Sequence, residues 1–191
     1  NEFLSANEGA IDPIINVIIQ NTIIIQHTAD SIDAALQQVN NDQMDKTVLD
    51  SLYAANEQLK INIKLINQAI AMFTKLNDGL SSHGLDPVIA NLTEARQRMG
   101  NLQQNLQSAI NKAESGEKLP GDTIASLREQ AQAASAKAKA LNSYLSGGGR
   151  ETIKNSISKL QEAANRAGMD LAKMQAELPK IEGILKNAAE I

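Results

Sequence analysis

Ser156-Ile157-Ser158-Lys159 formally spells a catalytic spacing, a hydroxyl three residues ahead of an ammonium, as in Ser-x-x-Lys acyl-transfer sites where a lysine activates a serine. Ile157 falls on an apolar stripe, and neither a Ser-Asp-Asn nor a Lys-Thr-Gly element follows, so the stretch reads as a helix face. His27 and His83 have no acidic or cysteine neighbour at ligand spacing, and neither a His-Glu-x-x-His nor an EF-hand pattern occurs. The carboxylates Asp42 with Asp45, and Glu114 with Glu117, flank turn clusters, where capping and solvation account for them better than general acid/base work. The chain has no cysteine, which removes disulfides, thiolate metal sites and thiol catalysis together. Asn91-Leu92-Thr93 matches a glycosylation acceptor, but Leu92 belongs to an apolar stripe. A non-enzyme is therefore expected, with no catalytic residue, no cofactor and no metal.

Composition points the same way. Only 2% of the 191 residues are aromatic, against 27 Ala, 18 Asn and 15 Gln, so small and amide side chains stand where rings usually fill a core. Such a chain buries methyl groups along narrow seams between helices. The net charge of −4 is spread without a basic stripe, which argues against nucleic acid, whose phosphates need clustered Lys and Arg. The Ile-rich stretch 14–25 contains Asn16, Gln20 and Asn21 and falls short of the roughly 20 apolar residues a bilayer requires. It reads as a buried bundle helix.

The elements that must position any functional group are legible from the hydrophobic repeat. Val88, Leu92, Ala95, Met99, Leu102, Leu106, Ala109 and Ala113 follow Leu85 at alternating intervals of three and four. The spacing resumes through Ile124, Leu127, Ala131, Ala134, Ala138, Leu141 and Leu145. A third run passes from Ile153 through Ile157, Leu160, Ala164, Ala167, Leu171, Met174, Leu178, Ile181 and Leu185 to Ala188. Earlier runs join Ile11, Ile15, Ile18, Thr22, Ile25, Ala29, Ile32, Leu36 and Val39, then Val48, Leu52, Ala55, Leu59, Asn62, Ile66, Ala69, Phe73, Leu76 and Leu80. Stripes of this kind pack knobs-into-holes, and Asn62 on the second stripe is expected to be a hydrogen-bonded polar residue that fixes register. Ile14, Ile19, Ile23 and Ile24 widen the first face, so that helix should meet more than one neighbour.

Punctuation divides the chain into five helices, at about 12–39, 45–79, 86–114, 122–146 and 151–189. Asp12-Pro13 and Asp86-Pro87 both read as helix starts, with an acidic cap ahead of a first-turn proline. Pro179 predicts a kink in the last helix, which Gly168 and Gly183 soften. Short connections should make sequential helices antiparallel, so the expected fold is all-α, an elongated antiparallel helical bundle or set of coiled-coil hairpins. Residues 1–10 read as a disordered or tag-derived N-terminus, 11–80 as a hairpin pair and 86–191 as a three-helix part. The glycines at 147–149 are a candidate engineered joint.

When shafts are structural, connections carry recognition. The residues expected to contact a partner are Ser81, Ser82, His83 and Gly84, Glu117 and Lys118, and Arg150.

Long Ala/Asn/Gln-rich heptads, with phrases such as Ile32-Asp33-Ala34-Ala35-Leu36, Leu76-Asn77-Asp78-Gly79-Leu80 and Leu102-Gln103-Gln104-Asn105-Leu106, resemble the extracellular region of the YhgE/Pip (phage infection protein) family. That family is related to the type VII secretion proteins EsaA and YueB. Over residues 11–191 the resemblance implies a stalk of a Gram-positive membrane protein, exposed at the cell surface and tied to the membrane only through flanking segments. It implies a bacteriophage receptor or, alternatively, an accessory scaffold of type VII secretion. The partner would be a phage tail protein or a secretion-system subunit, with homodimerisation as a further expectation. An intracellular coiled-coil adaptor or signalling segment is the alternative from another class.

Overall fold

The computed structural model describes residues 2–39, 44–79 and 83–167, with backbone alone for 2–10, 161 and 163–167. Five helices account for the described regular structure: α1 Glu2–Leu36, α2 Lys46–Asp78, α3 Asp86–Glu114, α4 Gly121–Ser146 and α5 Gly148–Ala167. The expected all-α antiparallel bundle is what forms. α1 packs against α2 and α4, and α3 packs against the same two helices, so four rods close into a ring. α1, at 35 residues, is about 50 Å long.

The stripes face inward as the repeat requires. Two apolar clusters fill the ring: one joins Ile11 to Ile25 with Phe73, Leu85, Leu92, Leu145 and Ile153, and the other joins Ala29 to Leu36 with Leu52, Leu106, Leu119 and Leu127. Both draw on residues before and after position 80. Ala131, Ala134 and Ala138 are almost fully buried on α4, which lets neighbouring backbones approach closely. Of the widening isoleucines, Ile14 is buried, Ile19 packs at the cluster edge and Ile23 stays 36% exposed. No helix among the described residues is long and apolar enough to cross a membrane.

Three local expectations change. Pro13 lies inside α1 rather than at its start. Its missing N–H forfeits one helical bond, yet Ile11, Ile14 and Ile15 around it are fully buried, and that burial holds the segment helical. At the other proline the N-cap position is Leu85, not Asp86. The Asp86 carboxylate is drawn away from capping by Asn77 Nδ2, which donates to it at 2.6 Å. Asp45, by contrast, caps α2 by accepting from the Val48 N–H at 2.8 Å.

The third change concerns topology. The connection at 146–149 does not reverse the chain. Arg128 Nε donates to Asp33 at 3.0 Å and Ser135 Oγ donates to Asp30 at 2.7 Å, which sets α4 antiparallel to α1. Farther along, Arg150 and Lys154 meet Asp12 at 3.2 and 3.0 Å. α5 therefore continues along α1 in the same sense as α4. The seam slips at the same point: Leu141, Leu145, Gly149, Ile153 and Ile157 recur at successive intervals of four, a departure from three-four alternation that a straight heptad helix cannot absorb. Gly147 takes up the shift at φ −118° and ψ −116°, its N–H reaching the Tyr144 carbonyl. Gly149 is buried, and a Cβ there would lie 2.6 Å from the Tyr144 ring and 2.7 Å from its carbonyl oxygen. The expected kink at Pro179 and the seam from Gly168 onward lie outside the described residues.

Candidate recognition sites at the two ends of the bundle

The residues expected to meet a partner are not brought together. His83 and Gly84 sit at the α2–α3 turn, while Glu117 and Lys118 sit at the α3–α4 connection. The 29-residue α3 separates them by about 40 Å. Ser81 and Ser82 lie outside the described residues.

The α3–α4 connection is a built structure. The Glu117 N–H donates to the Lys112 carbonyl and the Gly116 N–H to the Ala113 carbonyl, a Schellman ending for α3 with Gly116 in the left-handed region at φ 79°. Leu119 follows and is 1% exposed, anchored in the apolar cluster beneath. Between these fixed points Glu117 and Lys118 are both exposed. A carboxylate and an ammonium are thus presented side by side on a short, pinned segment. Beside it a shallow cleft of ≈ 320 Å³ opens between α3 and α4, with Ser108 and Lys112 on one wall, Asp122 and Ser126 on the other, and Ala109 and Leu127 also lining it.

The α2–α3 turn is held by Asn77, a residue that the repeat does not single out. It is 5% exposed. Its Oδ1 accepts from the buried Leu85 N–H at 3.0 Å while its Nδ2 donates to Asp86, so one amide closes the turn. His83 is exposed and adopts φ 48°, a conformation that asparagine and histidine tolerate better than most residues.

Arg150 is not at a loop tip. It belongs to the first turn of α5, where its guanidinium donates to Asp12 and Asn16 of α1. That engagement makes it a clamp between helices rather than a free contact.

The remaining sequence candidates settle into the shaft. Ser156 is 4% exposed on α5, facing the bundle. Asn91 donates to the Pro87 carbonyl and Leu92 is fully buried. Among the described residues no group of three or more His, Cys, Asp or Glu side chains gathers where a metal could bind. On the surface, Lys137 Nζ donates to Glu94 at 2.8 Å, which, with the ammonium's charge, holds that carboxyl below its ordinary pKa. Burial pushes the Tyr144 phenol up.

Polar residues inside the bundle divide unexpectedly. Asn62 is buried, but among the described residues its Oδ1 accepts only from Gln58 of its own helix and its Nδ2 has no partner. A bond within one helix cannot set register between two. Asn56, also fully buried, donates to Gln107 Oε1 at 2.7 Å and accepts from Gln103 Nε2 at 3.3 Å, both on α3. Within the shaft it is Asn56, not Asn62, whose amide ties α2 to α3. Comparison with family models, curated proteins and solved structures finds no match to this chain.

Proposed function

We propose that this chain is a non-enzymatic extracellular stalk of a bacterial membrane protein, similar to the YhgE/Pip family, that serves surface recognition as a bacteriophage receptor. The observation that carries the reading is the antiparallel register of α1 against α4 and α5, from Asp33–Arg128 to Asp12–Lys154. It puts the start of α1 and the end of α5 at one end of the rod, with the α2–α3 turn. The α1–α2 and α3–α4 connections lie at the other. In this reading the end with the α2–α3 turn is the base, facing the membrane. The opposite end is then the tip, and Glu117 and Lys118 are its pinned, exposed charges.

The partner in this reading is a phage tail protein that meets the tip. The purified chain at micromolar concentration should compete for phage adsorption to sensitive cells; undiminished adsorption sinks the receptor reading.

A further inference from the structure

We propose that α5 is a docked arm that separates from the four-helix body about Gly147 while the body stays folded. Three observations meet at this point. The helical hydrogen-bond ladder breaks at Gly147, whose φ and ψ are those of no regular helix. The seam slips from alternating three-four spacing to repeated fours across the same residues, so α4 and α5 are separate packing units. And among the described side chains α5 is held by one exposed ion-pair cluster and one apolar seat.

Those contacts are of two kinds. The first is a latch: Asp12 on α1 receives both Arg150 and Lys154, with Arg150 reaching on to Asn16. The Asp12 carboxylate is 35% exposed and the two cations 26% and 34%, so salt screens the latch. The second is a seat. Ile153, Ile157 and Leu160 enter the apolar cluster, and Leu160 rests on Gly79 at the α2–α3 turn so closely that a Cβ at Gly79 would lie 2.8 Å from its Cδ1. Tyr144 lies against Gly149 where the arm begins.

The body does not depend on the arm for its tip-side core. Ala29, Leu52, Leu106 and Leu127 pack there without any described side chain of α5. Opening the arm uncovers Ile153, Ile157 and Leu160 together with the faces of α1 they cover. Regions that open first are those with few buried contacts and screened polar bonds.

Hydrogen exchange on the full chain, read by mass spectrometry, tests this. Amides of 152–160 should exchange at least about tenfold faster than those of 59–73, and 1 M salt should widen the gap. Asp12→Asn should raise exchange in α5 by roughly fivefold and leave α2 unchanged. Lys154→Gln, which removes one ion pair and keeps the other, should give a smaller rise in the same segment. Arg128→Gln, which breaks the Asp33 pair on α4, should leave α5 at its original rate. If α5 and α2 exchange at one common rate, or Asp12→Asn and Lys154→Gln accelerate all helices alike or none, α5 opens only with the whole fold and the proposal is overturned.

Discussion

Asn77 Nδ2 lies 2.6 Å from Asp86 Oδ1 across the α2–α3 turn, and the same amide accepts the buried Leu85 N–H. Truncating this one side chain leaves a backbone donor unpaired in the core and a carboxylate without its neutral partner. Asn77→Ala should cost about 2–3 kcal/mol, a fall in Tm of roughly 4–12 °C for a chain of this length. Asn77→Asp keeps the acceptor but sets two carboxylates against each other. That variant should be weaker than the parent at neutral pH and recover as pH falls and one carboxylate protonates. Thermal melts at pH 4 and pH 7 separate the two variants; equal losses at both pH values for Asn77→Asp would refute the assignment.

Much of the fold is legible in the sequence because heptad spacing and burial are two expressions of one constraint. Nearly every seam residue from Val88 to Ala109, and from Leu127 to Leu145, is buried. What the repeat does not contain is direction. A glycine cluster reads the same whether the chain turns back, as at the α2–α3 turn, or runs on, as at Gly147. The difference lies in Asp12 meeting Arg150 and Lys154 more than a hundred residues along the chain. Nor does the repeat rank polar residues. Asn62 is on the stripe and Asn56 beside it, and only the placement of Gln103 and Gln107 on α3 decides which of them bridges two helices. The signal for Asn56 in the sequence is the Asn/Gln content of 103–107, which supplies amide partners on α3. At the α3–α4 connection Glu117 and Lys118 are legible as turn charges, while the Schellman ending and the Leu119 anchor that fix them emerge only from the packing.

Asn62 and Asn56 should therefore respond differently to leucine. Asn62→Leu removes a donor that has no partner and leaves only Gln58 to find water, so stability should be unchanged or rise by about 1 kcal/mol. Asn56→Leu strands Gln103 and Gln107 and should cost about 1–2 kcal/mol. Urea midpoints at constant m-value measure both. Equal effects, or a larger loss at Asn62, would show that register is set elsewhere.

Glu94 gives a pH prediction with a definite sign. Its folded pKa is lowered from 4.5, first by the hydrogen bond from Lys137 and then by that ammonium's charge. A carboxylate depressed on folding contributes stability that is present above its unfolded value and disappears as pH falls through the folded one. Lys137→Met should remove this part of the acid dependence, so that parent and variant differ at pH 6 and converge near pH 3. A constant offset across that range would assign the loss to packing instead.

Gly116 fixes the direction in which Glu117 and Lys118 leave the end of α3. At φ 79° a Cβ meets no neighbouring atom, so Gly116→Ala should cost about 1–2 kcal/mol through backbone conformation alone.

The proposed receptor role makes the two ends of the rod unequal. If the tip meets the tail protein, reversing its charges with Glu117→Lys and Lys118→Glu should weaken competition for phage adsorption by about tenfold or more, because like charges then face a complementary surface. The exposure of both residues means the fold should tolerate the exchange. His83→Ala at the base, also exposed, should leave competition intact, and circular dichroism confirms that each variant is folded. Competition lost at His83 and kept at Glu117 and Lys118 would invert the rod, placing recognition at the α2–α3 turn and the flanking chain at the wrong end for a stalk rising from a membrane.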